Sequence, residues 1–361
     1  MEFEKLKNIA TFTTGKLNSN AAEIDGQYPF FTCAHEIFRI NNYSYDGEYV
    51  LLGGNNASGD FPIFYYNGKF DAYQRTYLIQ PFDSNRYLTR YLYYAIGLRL
   101  SQMKGNAAGT ATKFLTQSIL NNLYIEKRLI DKQNKIISVL SAYDNLIDVN
   151  NKRIKTLGQM AENLYKEWFV RFRFPGHENA EFENGIPQGW SIKKLSEIST
   201  FTYGKMPDAD RYIADGYPIF SGYRITGYYD SFLFEKPMLV LIARGVGGTG
   251  EVRISPPFAY ITNLSIVFLL FNPELYLNYL YQLFSLQNLR YLDTGAAQSQ
   301  ITIDNLKNVR IVLPPDDLLV CYNSKDELIK KQIETLSQIN TNLTKQRDLL
   351  LPRLMSGKLE V

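Results

Sequence analysis

Very little in this chain can build a disulfide or hold a metal. Among 361 residues the only cysteines are Cys33 and Cys321 and the only histidines His35 and His177. Neither histidine has a Cys or His at ligand spacing, so a zinc site and a Ser-His-Asp hydrolase are disfavoured. So few cysteines, behind an N-terminus (residues 1 to 7) unlike an apolar signal region, point to a reducing cytosol and no disulfide framework. Long apolar runs are missing as well: the longest, residues 266 to 271, falls far short of the roughly 20 residues that span a bilayer. A soluble protein is expected. Charge of one sign is also lacking, because 39 Lys plus Arg meet 36 Asp plus Glu for a net charge of +3. A chain held to nucleic acid by charge alone would be strongly basic. What surplus there is falls in residues 126 to 173. Asp208 and Asp210 have no Glu-x-Lys at strand spacing, so "MPDADR" reads as a solvated loop rather than a nuclease metal centre.

One short stretch, "VLIARGVGGTGEVRISPPF", carries two motif matches. Gly245, Gly247 and Gly250 spell G-x-G-x-x-G after an apolar strand, and Ser255-Pro256-Pro257-Phe258 resembles the catalytic tetrapeptide of amino-methyltransferases. In a doubly wound fold a crossover of a dozen or more residues separates two such loops; here only residues 251 to 254 intervene. A phosphate-cradling glycine loop must also open a helix, and two prolines forbid one. The stretch therefore predicts a glycine-rich hairpin, with an adenine or cytosine amino-methyltransferase kept as the rival reading.

The chain contains itself twice, an observation that outranks any local motif. "FEKLKNIATFTTGK", residues 3 to 16, lies without gaps on "IKKLSEISTFTYGK", residues 192 to 205, with eight of fourteen positions identical. The offset of 189 drifts downstream: "FDAYQRTYLI" meets "FAYITNLSIV" at 188, and "GTATKFLTQSILNNLYI" meets "GAAQSQITIDNLKNVRI" at 186. "LLGGNNASGD" falls on "LIARGVGGTG". Asn67-Gly68, between two strand-like runs, is the strongest short-range hairpin signature. Each copy ends in a short apolar strand, and Tyr- and Leu-rich helical stretches lie at residues 87 to 100 and 274 to 289. Two mixed α/β domains are predicted, residues 1 to 125 and 191 to 314.

A helix follows each domain. In residues 126 to 173 the positions Leu140, Tyr143, Ile147, Asn150, Ile154, Leu157, Ala161, Leu164 and Trp168 alternate spacings of 3 and 4, the seam of a coiled coil. Residues 315 to 361 repeat the device with Ile329, Ile333, Leu336, Asn340, Leu343, Leu350 and Leu354, broken by Arg347. Pro352 should kink or end that helix. Asn150 either fixes register as a buried polar seam residue or sits at its wet edge. A helix from about 126 to 172 would be roughly 70 Å long, and antiparallel pairing of the two would make a rod with one domain at each end. Residues 174 to 190 supply a Pro/Gly-marked turn into the second domain.

Taken in order, the duplicated "TFTxGK", the "KFDAYQRTY" strand, "KEWFVRFRFPGHE" with "IPQGW" after it, and the C-terminal "LLPRLMSGKLE" resemble the DNA-specificity subunit of type I restriction-modification systems. The resemblance covers essentially the whole chain. It implies two α/β target-recognition domains separated by two long antiparallel helices, and a subunit with no catalytic centre and no metal. Each domain would read one half of a split, asymmetric site on double-stranded DNA. The helices would dock two methyltransferase subunits carrying S-adenosylmethionine, and restriction subunits would add ATP- and magnesium-driven translocation. Half-sites about one helical turn apart, roughly 34 Å, suit two domains on a rod.

Side chains suited to base edges are Arg, Lys, Gln and Asn. The candidates are Lys16, Lys69, Gln74 and Arg75 in the first domain and Lys205, Arg211, Arg224, Arg244 and Asn263 in the second, with Arg75 and Asn263 at matching places. Each is also open to a phosphate-clamping or plain surface role, since most protein contacts to DNA touch backbone. Leu140, Ile147, Asn150, Leu157, Leu164, Trp168, Leu336 and Leu343 are the candidates for helix pairing or partner docking. A coiled-coil scaffold with two protein-binding heads is the third reading.

Overall fold

The computed structural model describes residues 2–56, 60–106, 114–245, 248–294 and 299–360. Gly247 lies outside them, as do residues 109–113 and 295–298 at the head of the last matching stretch. Two compact units are formed, residues 1–151 with 337–361, and residues 152–336. No helix among the described residues is long and apolar enough to cross a membrane.

In the first unit a six-stranded sheet runs in the order Ala10–Thr14, Thr76–Pro81, Tyr45–Gly53, Ile63–Ala72, Tyr28–Phe31, Phe38–Ile40. All neighbours are antiparallel except the pair Tyr28–Phe31 and Ile63–Ala72. Helix Thr89–Asn106 lies against the sheet and closes a core of Leu6, Val50, Leu52, Ile79, Tyr91, Leu92 and Ile96. A smaller cluster, Phe31, Leu51, Phe70, Ala72 and Leu78, forms a separate core. Phe3–Lys5 pairs with Tyr124–Glu126, so the last strand of the repeat is tied to its first.

The second unit repeats this plan. Ser199–Tyr203, Ser265–Leu270, Leu239–Ile242 and Val252–Ile254 form one four-stranded sheet, and Tyr212–Ile213, Ile225–Tyr229, Tyr217–Phe220 and Tyr260–Ile261 another. Helix Pro273–Gln287 covers the larger core, and Ser191–Lys194 pairs with Arg310–Leu313. Its small cluster is Phe220, Val240, Ala259, Ile261 and Val267. Each of these five stands 189 residues after its counterpart in the first unit.

One expectation is corrected by this register. Asn67-Gly68 is no hairpin turn: both residues lie inside Ile63–Ala72 and pair with Glu48 and Gly47. Gly47 and Gly68 oppose each other at φ 137° and 140°, so two glycines face each other where the ladder demands backbone that side chains resist. The corresponding residues of the second unit are Pro256-Pro257, and there the strand is interrupted between Ile254 and Tyr260. Proline cannot donate to a ladder. The Ser255 to Phe258 tetrapeptide is therefore the break in a strand. The buried Ser255 hydroxyl accepts from the Met238 amide (3.0 Å) and donates to the Pro256 carbonyl (3.0 Å). The glycine loop joins antiparallel strands Leu239–Ile242 and Val252–Ile254, as the hairpin reading predicts, and Gly245, Gly248 and Gly250 take φ of 141°, 87° and 94°.

The long helices span Ile130–Tyr165, about 54 Å at 1.5 Å per residue, and Asp316–Met355. The first passes into a π-helical turn, Lys166–Val170, and the second runs three residues beyond Pro352 before stopping. Asp316 and Asp317 complement the positive end of the second helix. Leu140 and Trp168 share the units' cores with residues of the second long helix. Leu140 is buried in the first unit's core beside Ile136, Leu354 and Met355, and Trp168 in the second's with Phe169, Trp190 and Tyr322. Leu164 packs on the same core as Trp168, while Ile147, Leu157, Leu336 and Leu343 are only half-buried.

Candidate nucleic-acid interface

The repeated "GK", Gly15-Lys16 and Gly204-Lys205, is held against a turn in both units. Gly15 packs so tightly there that a Cβ on it would lie 2.1 Å from the Ala72 carbonyl oxygen, and one on Gly204 would lie 2.2 Å from that of Thr262. Backbone bonds fix the approach. In the first unit Gly15 donates to Thr76 (3.1 Å), Leu17 to Ala72 (3.4 Å) and Gln74 to Leu17 (2.8 Å). In the second Gly204 donates to Ser265 (3.1 Å) and Lys205 to Ile261 (2.9 Å). A third segment joins each platform: Gly54 donates to Arg75 (2.8 Å) and Ala243 to Leu264 (2.9 Å). A fourth follows, with Leu115 donating to Gly54 and Ile301 to Ala243, both at 2.9 Å.

These bonds fix the correspondence between the copies. Tyr73 donates to Phe31 as Thr262 does to Phe220, and Thr13 faces Leu78 as Thr202 faces Val267. Each of these pairs is 189 apart, so the sequence offset of 188 is one residue out along these strands; only in the loop after the glycine does it return, where Leu17 and Lys205 make the matching bonds to Ala72 and Ile261. Asn263 corresponds to Gln74, not Arg75; the counterpart of Arg75 is Leu264. The loop match shifts likewise, since Leu51 pairs with Leu78 as Val240 does with Val267, which sets Arg244 against Asn55. The tail keeps its offset of 186: Thr116 and Thr302 each cap a short helix by accepting an amide three residues on.

The two platforms carry six of the nine candidates, three in each unit. Lys16, Gln74 and Arg75 are exposed on the first unit's loop and turn, and Lys205 on the second's, with Asn263 half-buried beside it. Arg244 joins them, its amide donating to Leu264 (3.2 Å) and its guanidinium lying 5.9 Å from the Tyr203 ring centre. The Gln74 amide nitrogen donates to the Asn18 side chain at 3.1 Å. Asn55, Leu264 and Tyr203 were missed; an unbroken offset of 189 would have found the first two.

The other candidates sit in different surroundings. Lys69 lies 4.6 Å from the Tyr43 ring centre, and hydrogen bonding to Tyr43 raises its pKa. Its counterpart Phe258 packs on Phe232 (5.3 Å between centres). Arg211 grips Asp230 with two bonds of 2.9 and 2.6 Å and stands 4.8 Å from the Tyr229 ring centre. Those bonds hold the Asp230 carboxyl below its ordinary range and raise Arg211. In the first unit Asn41, at the place of Asp230, is bonded to the Glu23 carboxylate through its backbone amide (3.4 Å). Arg224 is exposed at the end of the Ser221–Arg224 turn.

The helix pair of the first unit carries its own polar contacts. Asn150, 7% exposed, donates to the Asn340 side-chain oxygen (2.8 Å), and Asn340 donates to Asn151 (2.9 Å). Asn150 is thus a satisfied seam residue, and its partner is the other polar seam position. Arg347 is accommodated in the same way, reaching Asp144 at 2.8 Å. Burial alone would lower its pKa, but the bonds to Asp144 and Asp348 outweigh it.

Comparison with known proteins agrees on one family. The model of the type I restriction modification DNA specificity domain matches residues 1–159 and 187–352. The chain is 29% identical over 218 residues to the EcoDI type I restriction enzyme specificity subunit of Escherichia coli, covering 54% of this chain and 48% of that one. It is 28% identical over 302 residues to the MjaIX specificity subunit of Methanocaldococcus jannaschii, covering 76% and 70%. The match therefore spans about half the length of the first relative and more of the second. Among solved structures, the S subunit of a type I restriction-modification system from M. genitalium shares the fold, with a TM-score of 0.60, 17% identity and coverage of 98% of this chain and 95% of that one.

Proposed function

Because the chain belongs to the type I restriction-modification DNA specificity family, we propose that it is the DNA-reading subunit of such a complex, with each unit addressing one half of a split, asymmetric site. As a specificity component it is not itself an enzyme. One observation carries the division into halves. The same backbone platform is built twice, and the exposed positions on it differ: Arg75 against Leu264, Asn55 against Arg244, Gln74 against Asn263. A rigid frame with exchanged side chains is what reading two unlike sequences requires, because groove edges are distinguished by donor and acceptor pattern.

The long helices serve as spacer and as the surface for two methyltransferase subunits, which supply S-adenosylmethionine; restriction subunits supply ATP-driven translocation. Near balance of charge fits that division, since partners can provide many of the phosphate contacts that dominate affinity. The complex works in the cytoplasm. The test is to express the chain with its neighbouring modification gene and map methylated adenines. A bipartite motif is expected, and exchanging residues 1–125 for a relative's domain should change one half only. A continuous motif, or a change in both halves, would refute the reading.

A further inference from the structure

We infer that Gln74 and Asn263, the carboxamides at one structural position in the two units, each read an adenine edge, one in each half-site. The inference rests on the proposed DNA-reading function and adds the base. Of the four equivalent pairs on the platform, two change chemical type: Arg75 against Leu264, and Asn55 against Arg244. Neither can read the same base in both halves. The pair Lys16 and Lys205 is unchanged, but an ammonium is a mobile point charge suited to phosphate. Gln74 and Asn263 differ only by one methylene. A carboxamide offers an acceptor and a donor side by side, the complement of adenine N6 and N7 in the major groove.

The local geometry prepares the amide for this. The Gln74 backbone is bonded to Leu17, and its side-chain nitrogen donates to Asn18 at 3.1 Å. One N–H is thereby used for aim, while the second N–H and the carbonyl oxygen remain for a base. Met206 and Pro207, which follow Lys205 in the second unit, can give no such aid. The shorter Asn263 has one fewer rotor to fix and is already half-buried in its turn. The adenine read here is not the one to be methylated, because that base must leave the stack to react.

The experiment uses the full chain co-expressed with its modification subunit, the methylated motif being read from genomic DNA. Gln74→Ala should make one A·T position of the first half degenerate, with a roughly 5- to 150-fold loss of discrimination, and leave the second half unchanged. Asn263→Ala should do the same to the second half alone. Gln74→Glu should move the preference at the same position towards cytosine, whose amino group a carboxylate accepts; this also guards against a variant that merely fails to fold. An unchanged motif, degeneracy at a G·C position, or uniform loss of methylation on every sequence in folded variants would overturn the inference. Absence of any motif with the wild-type chain would instead overturn the parent reading.

Discussion

Replacing Gly15 by alanine tests the platform without assuming which side chains read DNA. The added Cβ would lie 2.1 Å from the Ala72 oxygen, 2.3 Å from its carbonyl carbon and 2.5 Å from the Tyr73 oxygen. All three are backbone atoms, so no rotamer change relieves the clash. Ordinary contact needs a separation more than 1 Å greater, and the loop must then give up its bonds to Thr76 and Ala72 and the one it receives from Gln74. Each is worth about 0.5 to 1.5 kcal/mol, and overpacking of this kind costs about 1 to 3 kcal/mol. Taking about 3 kcal/mol, near the low end of that sum because the loop can relax, and roughly 2 to 4 °C per kcal/mol in a domain of this size, the first unit should melt about 6 to 12 °C lower. Gly158→Ala is the control: nothing lies within 4 Å of its Cβ, and in a helix interior it should stabilise by about 0.5 to 1 kcal/mol. Scanning calorimetry of the full chain measures both. If Gly15→Ala melts with the wild type while Gly158→Ala behaves as stated, the close approach is wrong and the equivalence of the two platforms falls with it.

Two further outcomes concern contacts away from the platform. A double-mutant cycle on Asn150→Ala and Asn340→Ala should return a coupling of about 1 kcal/mol, each single change costing about 1 to 3 kcal/mol by leaving a buried amide unpaired; additive effects in denaturant unfolding would dismiss the pair. Asp230 should titrate below its ordinary 3.8. Because its folded pKa is depressed, its contribution is complete above that value and lost as pH falls through the depressed one. Carboxyl NMR of wild type and Arg211→Gln should show the midpoint returning upward in the variant, and equal midpoints would remove the strap.

Most of the architecture was legible because it is written twice. The two α/β units, their order and the two seams follow from self-similarity and spacing. What misled the reading was local chemistry with two uses. Asn-Gly favours tight turns because it accepts positive φ, yet the same tolerance serves a strand interior when a second glycine, Gly47, stands opposite Gly68. The sequence at that point offered no way to see Gly47 as its partner, since the pairing spans about twenty residues. At the matching place in the second unit Pro256 and Pro257 interrupt the strand by other means. Leu140 and Trp168 follow helix spacing, and that spacing does not show that they also close the cores of the two units.

The one-residue error in register has the larger consequence for function. An alignment by residue type slides to pair similar letters, Phe70 with Phe258, whereas a strand is registered by its hydrogen bonds, and a slip of one residue moves every side chain to the opposite face. At an offset of 188 Arg75 meets Asn263, and the platform looks like one site refilled with unrelated chemistry. At 189 the carboxamides coincide, the lysines Lys16 and Lys205 coincide, and Arg75 with Leu264 and Asn55 with Arg244 change chemical type. That pattern separates a shared element of recognition from a changing one on the same frame. Substituting at the changing pairs should then alter which base is preferred, whereas removing a shared carboxamide should only relax it.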